Sequence, residues 1–144
     1  MELKTKSGYI TVPIVDEDGT KLGKFRFNPA DPNLLKRLEK GAKALDELEF
    51  PEEMGMDEMM KANDLIKEQF DFILGKKASD SIFGICAPLS IDDDGNWFFE
   101  NILDGIADII TKAAQERYAK KMERIKAATA EYLEEKADNP ADSK

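Results

Sequence analysis

The fold is decided at residues 9–27, which read YITVPIV, then DEDG, then TKLGKFRF. Residues 9–15 are rich in β-branched residues, and residues 20–27 place aromatic residues among basic ones, so both segments predict strands. The Asp18-Gly19 pair between them indicates a hairpin, because glycine takes the positive φ that a tight turn requires. Pro13 has no backbone N–H to donate, which places its strand at a sheet edge or at a bulge. We therefore expect a β-hairpin over residues 9–27 that packs against helices, since a lone hairpin is marginal in water.

Helical periodicity follows the hairpin along the rest of the chain. Asp31-Pro32 supplies a capping residue and a first helical residue, and Gly75 supplies a stop. Apolar residues at three- and four-residue steps predict helices over residues 32–48, 57–74 and 96–136. Asp80 is a candidate capping residue for a short helix over residues 80–84. The sequence thus predicts an α+β fold, in which an N-terminal β-hairpin packs against a mainly helical body with a long C-terminal helix. We expect a single domain over residues 1–137 and a flexible polar tail over residues 138–144.

Composition excludes several classes of function. The 144 residues include 30 acidic and 21 basic side chains, for a net charge of −9, and no histidine. The absence of histidine removes the usual general base, the usual metal ligand and every Ser-His or Cys-His nucleophile. An acidic field disfavours nucleic acid and anionic membranes as partners. We therefore expect a soluble, intracellular protein that is not an enzyme and that binds no cofactor, metal, nucleic acid or membrane.

Two sequence features invite a chemical role. Residues 92–96 read DDDGN, but with Gly95 at the sixth place of a calcium loop, Ser90 and Asn101 fall at the first and twelfth, where ligands are needed. We interpret this segment as the turn that begins the last helix, where acids interact well with the helix dipole. The single cysteine, Cys86, lies in an apolar run with no nearby base, so we expect a small core residue.

The last helix carries the candidate binding residues. Trp97, Phe98 and Phe99 are consecutive, and neighbours on a helix point about 100° apart, so at least one points away from the others, to a second core or to a partner. From 115 to 133 the apolar stripe is too sparse for a deep core and too regular for a solvated rod. Two interpretations of this helix stay open: it packs at the domain edge, or it forms a surface for docking or self-association. The candidate partner-binding residues are Trp97, Phe99, Tyr118, Met122, Ile125 and Tyr132.

Four segments carry a family resemblance: ITVPI at 10–14, FRFNPADPN at 25–33, FGIC at 83–86 and DGNWFFENILDG at 94–105. Together they resemble the small tail assembly chaperones of long-tailed, siphovirus-type bacteriophages and prophages of Gram-positive hosts. The resemblance runs over roughly residues 9–115. It implies a virion-assembly factor with no catalytic activity, which acts in the host cytoplasm and is absent from the finished particle.

The resemblance also implies the partners. Such chaperones hold the long, helical, aggregation-prone tape measure protein soluble while tail tube subunits polymerise around it. We therefore expect this chain to bind the tape measure protein, with the tail tube protein as a further candidate. The stripe on the last helix, independently of the resemblance, keeps a second copy of the chain as another candidate. Two alternatives stay open: a structural virion or adaptor protein of the tail, and a small carboxylate-dependent enzyme. No spacing of the acidic residues favours the enzyme.

Overall fold

The computed structural model describes residues 1–138. Along the chain lie β1 (Ile10–Val15), β2 (Lys21–Phe27), α1 (Pro32–Asp46), α2 (Met56–Leu74), α3 (Ala78–Ile82) and α4 (Phe98–Asp138). The predicted α+β fold is confirmed, with its N-terminal hairpin, helical body and long C-terminal helix. Each predicted helix end lies within two residues of the observed one. The predicted flexible tail, apart from Asp138, lies outside the described residues.

The chain divides into two compact units, residues 1–110 and residues 111–144. The first unit holds the hairpin, α1, α2, α3 and the first turns of α4. In the second unit, the described residues are the remainder of α4. The single domain that the sequence suggests over residues 1–137 stays a prediction.

The hairpin forms as the sequence predicts. The two strands pair antiparallel, with Val12 opposite Phe25 in the register. Every second residue of β1 is half-buried, which gives the strand one face toward the core and one toward water. Gly19 takes a φ of 87°, the positive value expected for the tight turn. Pro13 lies on the exposed face of β1, and β1 is an edge strand of the two-stranded sheet, as predicted. The irregularity in the strand pairing lies between Ile14 and Val15, one residue after Pro13.

The core of the first unit fills the space between the inner face of the hairpin and the helices. Large side chains that are almost fully buried come from four elements, β2, α2, α3 and α4: Phe27, Ile66, Phe70, Ile73, Ile82 and Ile106. The ring of Phe70 meets that of Phe83 edge-on, with centroids 4.9 Å apart. Phe83 in turn meets Phe98 edge-on at 5.9 Å. This chain of aromatic contacts ties α2 to the beginning of α4.

Buried polar groups fix the connections that carry the chain from α2 to α4. The carboxylate of Asp71 accepts hydrogen bonds from the backbone N–H of Ser79, at 2.8 Å, and from its hydroxyl, at 3.0 Å. The side chain of Asn63, only 5% exposed, accepts from the N–H of Leu89 at 3.0 Å. A buried donor without an acceptor is costly, so these bonds hold α3 and the segment before α4 against α2.

None of the helices within residues 1–138 has both the length and the apolar character that crossing a membrane requires.

Candidate functional site

A tight turn over residues 91–97 sets the beginning of α4. The carboxylate of Asp92 accepts hydrogen bonds from the N–H groups of Asp94 and Asn96 and from the side-chain amide of Asn101, each at 2.9 Å. Gly95 takes the positive φ, 86°, that closes the turn. Asp92 therefore shapes the backbone ahead of the helix, which is the role that the sequence predicts for this acidic segment.

We expect Asp92→Asn to lower the melting temperature at pH 7 more than Asp93→Asn does. The hydrogen bonds from Asn96 and Asn101 hold the pKa of the Asp92 carboxyl below its ordinary value of 3.8. Because the folded-state pKa is the lower one, the ionised group stabilises the fold above pH 3.8, and this contribution is lost as the pH falls through the folded-state pKa. The difference in melting temperature between Asp92→Asn and the unmodified protein should therefore be smaller in melting curves recorded near pH 3. A deficit of equal size at both pH values would contradict this role.

An aromatic groove lies beside this turn, in the first unit. The ring of Trp97 is 4.5 Å from that of Phe50 and stacks on that of Phe99 at 5.7 Å between centroids. The cavity measures about 360 Å³, and three acidic side chains border it. Its lining consists of Leu45, Asp46, Leu48, Phe50, Trp97, Phe99, Glu100, Leu103 and Asp104. The groove has room for one or two apolar side chains, and its acidic border favours a neighbouring positive charge.

The structure separates the roles of the two aromatic candidates in this groove. Trp97 is half-buried and forms part of the accessible wall. Phe99 is only 5% exposed and belongs to the hydrophobic core, so its main role is to support the Trp97 ring from the core side. Phe50 is a lining residue that the sequence reasoning missed. The sequence shows Phe50 only as an aromatic residue in an acidic loop. Its contact with Trp97 could not be predicted because the two residues are 47 positions apart.

The second candidate surface lies along α4, within the second unit. We call it the α4 stripe and define it as Tyr118, Met122, Ile125, Thr129, Tyr132 and Lys136, which follow one another at alternating steps of four and three. Tyr118 is 68% exposed, Ile125 45% and Tyr132 55%, and Met122 is half-buried. Residues seven apart drift by only about 20° around a straight helix, so the large side chains share one face. The structure thus brings together four of the six predicted contact residues on an accessible face.

Comparison of the chain with known protein families, with curated proteins and with solved structures gave no match. The likeness to tail assembly chaperones therefore rests on the four sequence segments alone.

Charge is distributed unevenly around these surfaces. Residues 1–110 hold 13 basic and 23 acidic side chains, a net charge of −10. Along α4, residues 112–126 hold six basic and two acidic side chains, a net charge of +4. Residues 131–138 hold one basic and four acidic side chains, a net charge of −3. The α4 stripe therefore begins on a basic stretch of helix and ends on an acidic one.

Proposed function

We propose that this protein is a tail assembly chaperone that binds helical segments of a tape measure protein in the host cytoplasm and has no catalytic role. The observation that carries the proposal is the α4 stripe, whose large apolar side chains recur every seven residues and are about half exposed or more. An accessible, mainly apolar face of this kind on a protein surface marks an interaction site.

The repeat of the stripe favours a helix as the partner. Apolar residues at alternating three- and four-residue steps form the seam along which two helices pack side by side. The stripe covers 19 residues, from Tyr118 to Lys136, which amounts to about 27 Å of helix at 1.5 Å per residue. That length matches about five turns of a partner helix. Helical, aggregation-prone segments are what the family resemblance implies as the client.

The aromatic groove supplies a second, smaller contact in this proposal. It has room for one or two apolar side chains beside Trp97, and its acidic border attracts a lysine or arginine nearby. An assembly factor needs to hold its client and later release it. Modest surfaces suit that requirement, because weak contacts dissociate quickly.

Co-expression with the tape measure protein of the same gene cluster tests the proposal. We expect this chain to raise the soluble fraction of the tape measure protein, and we expect the triple variant Tyr118→Gln, Ile125→Gln and Tyr132→Gln to lose the effect. Removing about 1 kcal/mol of apolar contact at each position weakens binding on the order of 100-fold. Glutamine keeps a high helix propensity, so α4 itself should persist.

The matched control carries Lys120→Gln, Ala127→Gln and Glu134→Gln. These positions follow the stripe residues by two, about 200° around the helix, and the triple change leaves the net charge unaltered. This variant should keep the tape measure protein as soluble as the unmodified chain does. Equal loss in both triple variants, or no loss in either, would count against the α4 stripe as the binding surface.

A further inference from the structure

We infer that the α4 stripe also binds the α4 stripe of a second copy of this chain, with the two helices antiparallel. The inference shares its surface with the proposed function but does not depend on the identity of any client. Three properties of residues 112–138 carry it: the distribution of charge along the helix, the residues that would meet in the seam, and the charges at its flanks.

The charge of α4 is complementary to itself only when one copy is reversed. Residues 112–126 carry a net charge of +4 and residues 131–138 a net charge of −3. An antiparallel pair centred on residue 127 lays the basic stretch of each copy on the acidic stretch of the other. A parallel pair lays like charge on like charge. Complementary charge selects the orientation, and because the pairing is two-fold symmetric it closes as a dimer.

The antiparallel alignment also gives compatible layers in the seam. Around residue 127 the layers pair Tyr118 with Lys136, Met122 with Tyr132, and Ile125 with Thr129 of the second copy. In the structure, Lys136 Nζ already lies 5.4 Å from the centre of the Tyr132 ring, so this ammonium group has a reach and geometry suited to an aromatic face. The hydroxyl of Thr129 donates to the carbonyl oxygen of Ile125 at 2.9 Å, so the hydroxyl has a hydrogen-bond partner when it lies inside an apolar layer.

The residues flanking the seam favour the same orientation. Lys121 and Glu135 are two heptads apart and lie on the same flank. The antiparallel pair places Lys121 of each copy against Glu135 of the other, so this favourable contact forms twice. It also brings the two copies of Lys126 together once, at the centre. A parallel pair instead places Lys121 against Lys126 twice and Lys136 against Lys136 in the seam. The parallel pair therefore has more like-charge contacts, both at the flanks and in the seam.

Disulfide exchange between single-cysteine variants tests the orientation on the full chain. In a Cys86→Ala background, one protein carries Ile125→Cys and the other Thr129→Cys. The two are mixed in equal amounts in a glutathione buffer, and the disulfide-linked dimers are resolved by intact mass. Because positions 125 and 129 share a layer only in the antiparallel pair, we expect mixed dimers to exceed same-variant dimers by about fivefold or more. A statistical mixture, or an excess of same-variant dimers, would overturn the inference.

Charge exchange provides a second measurement, made by analytical ultracentrifugation of the protein alone. Glu135→Lys should raise the dimer dissociation constant about tenfold, because it turns two attractive flanking contacts into repulsive ones. The control, Glu134→Lys, makes the same charge change on the face away from the seam and should have a clearly smaller effect. Combining Glu135→Lys with Lys121→Glu should restore dimerisation. A monomer at every concentration, or a double variant no better than Glu135→Lys, would refute self-pairing.

These measurements contain no tape measure protein, so their failure and the failure of the proposed function are separate results. If both hold, client and second copy compete for one face, and added tape measure segments should convert the dimer to a mixed complex. The self-paired dimer is then the form that keeps the stripe covered while no client is present.

Discussion

Gly23→Ala is expected to lower the free energy of unfolding by about 3 kcal/mol, the upper part of the range for forcing extra atoms into a packed site. Gly23 lies in β2 where the strand approaches the backbone of α3. A Cβ at this position would overlap the carbonyl oxygen of Ser81 and lie 3.1 Å from that of Ile82. Since these neighbours are backbone atoms, they cannot rotate aside, and the strand or α3 has to move.

Gly105→Ala is the matched control for this substitution. A Cβ at Gly105, on α4, has no heavy atom within 4 Å in its surroundings. Alanine there should stabilise the helix by up to about 1 kcal/mol. Urea unfolding followed by circular dichroism measures both variants. If Gly23→Ala stayed within about 0.5 kcal/mol of the unmodified protein, the close approach of β2 to α3 would be wrong.

Phe70→Ala is expected to cost about 4 kcal/mol, because a fully buried aromatic side chain is removed and a cavity remains. The ring of Phe70 supports Phe83, and Phe83 supports Phe98 at the beginning of α4. Loss of this ring should therefore loosen the packing of α2 against both. At about 2–4 °C per kcal/mol for a chain of this size, the melting temperature should fall by roughly 8–16 °C.

Phe72 offers the control, since it is the same residue type on the same helix but is 46% exposed. Phe72→Ala should cost less than about 1 kcal/mol, because little apolar surface leaves the core. Calorimetry of the two variants gives the comparison directly. Similar losses for Phe70→Ala and Phe72→Ala would contradict the inward orientation of Phe70.

Local signals explain why much of this fold was predictable. The hairpin depends on a four-residue turn and two adjacent runs, and the helices depend on caps, stops and periodicity within one segment. The heptad spacing of Tyr118, Ile125 and Tyr132 is likewise visible within one segment, although a helix packed at the domain edge stayed open as an interpretation. These features needed no knowledge of which distant residues come together.

The remaining features depend on distant contacts that no local pattern encodes. Trp97 and Phe99 are two positions apart, yet only the packing of the other elements decides that Phe99 enters the core and Trp97 faces the groove. Phe50 joins them from another part of the chain. Cys86, expected in the core, is only partly buried. The need for glycine at position 23 comes from α3, more than fifty residues further along.

The placement of the only tryptophan gives the protein an optical reporter of its own. Trp97 stands in the wall of the aromatic groove, 4.5 Å from the ring of Phe50. All of the indole emission of the folded chain therefore originates at this one surface. A side chain that enters the groove displaces water from the indole and shifts its emission to shorter wavelength. Titrations of the unlabelled protein with client segments thus distinguish contact at the groove from contact at the α4 stripe, where tyrosine is the only fluorophore.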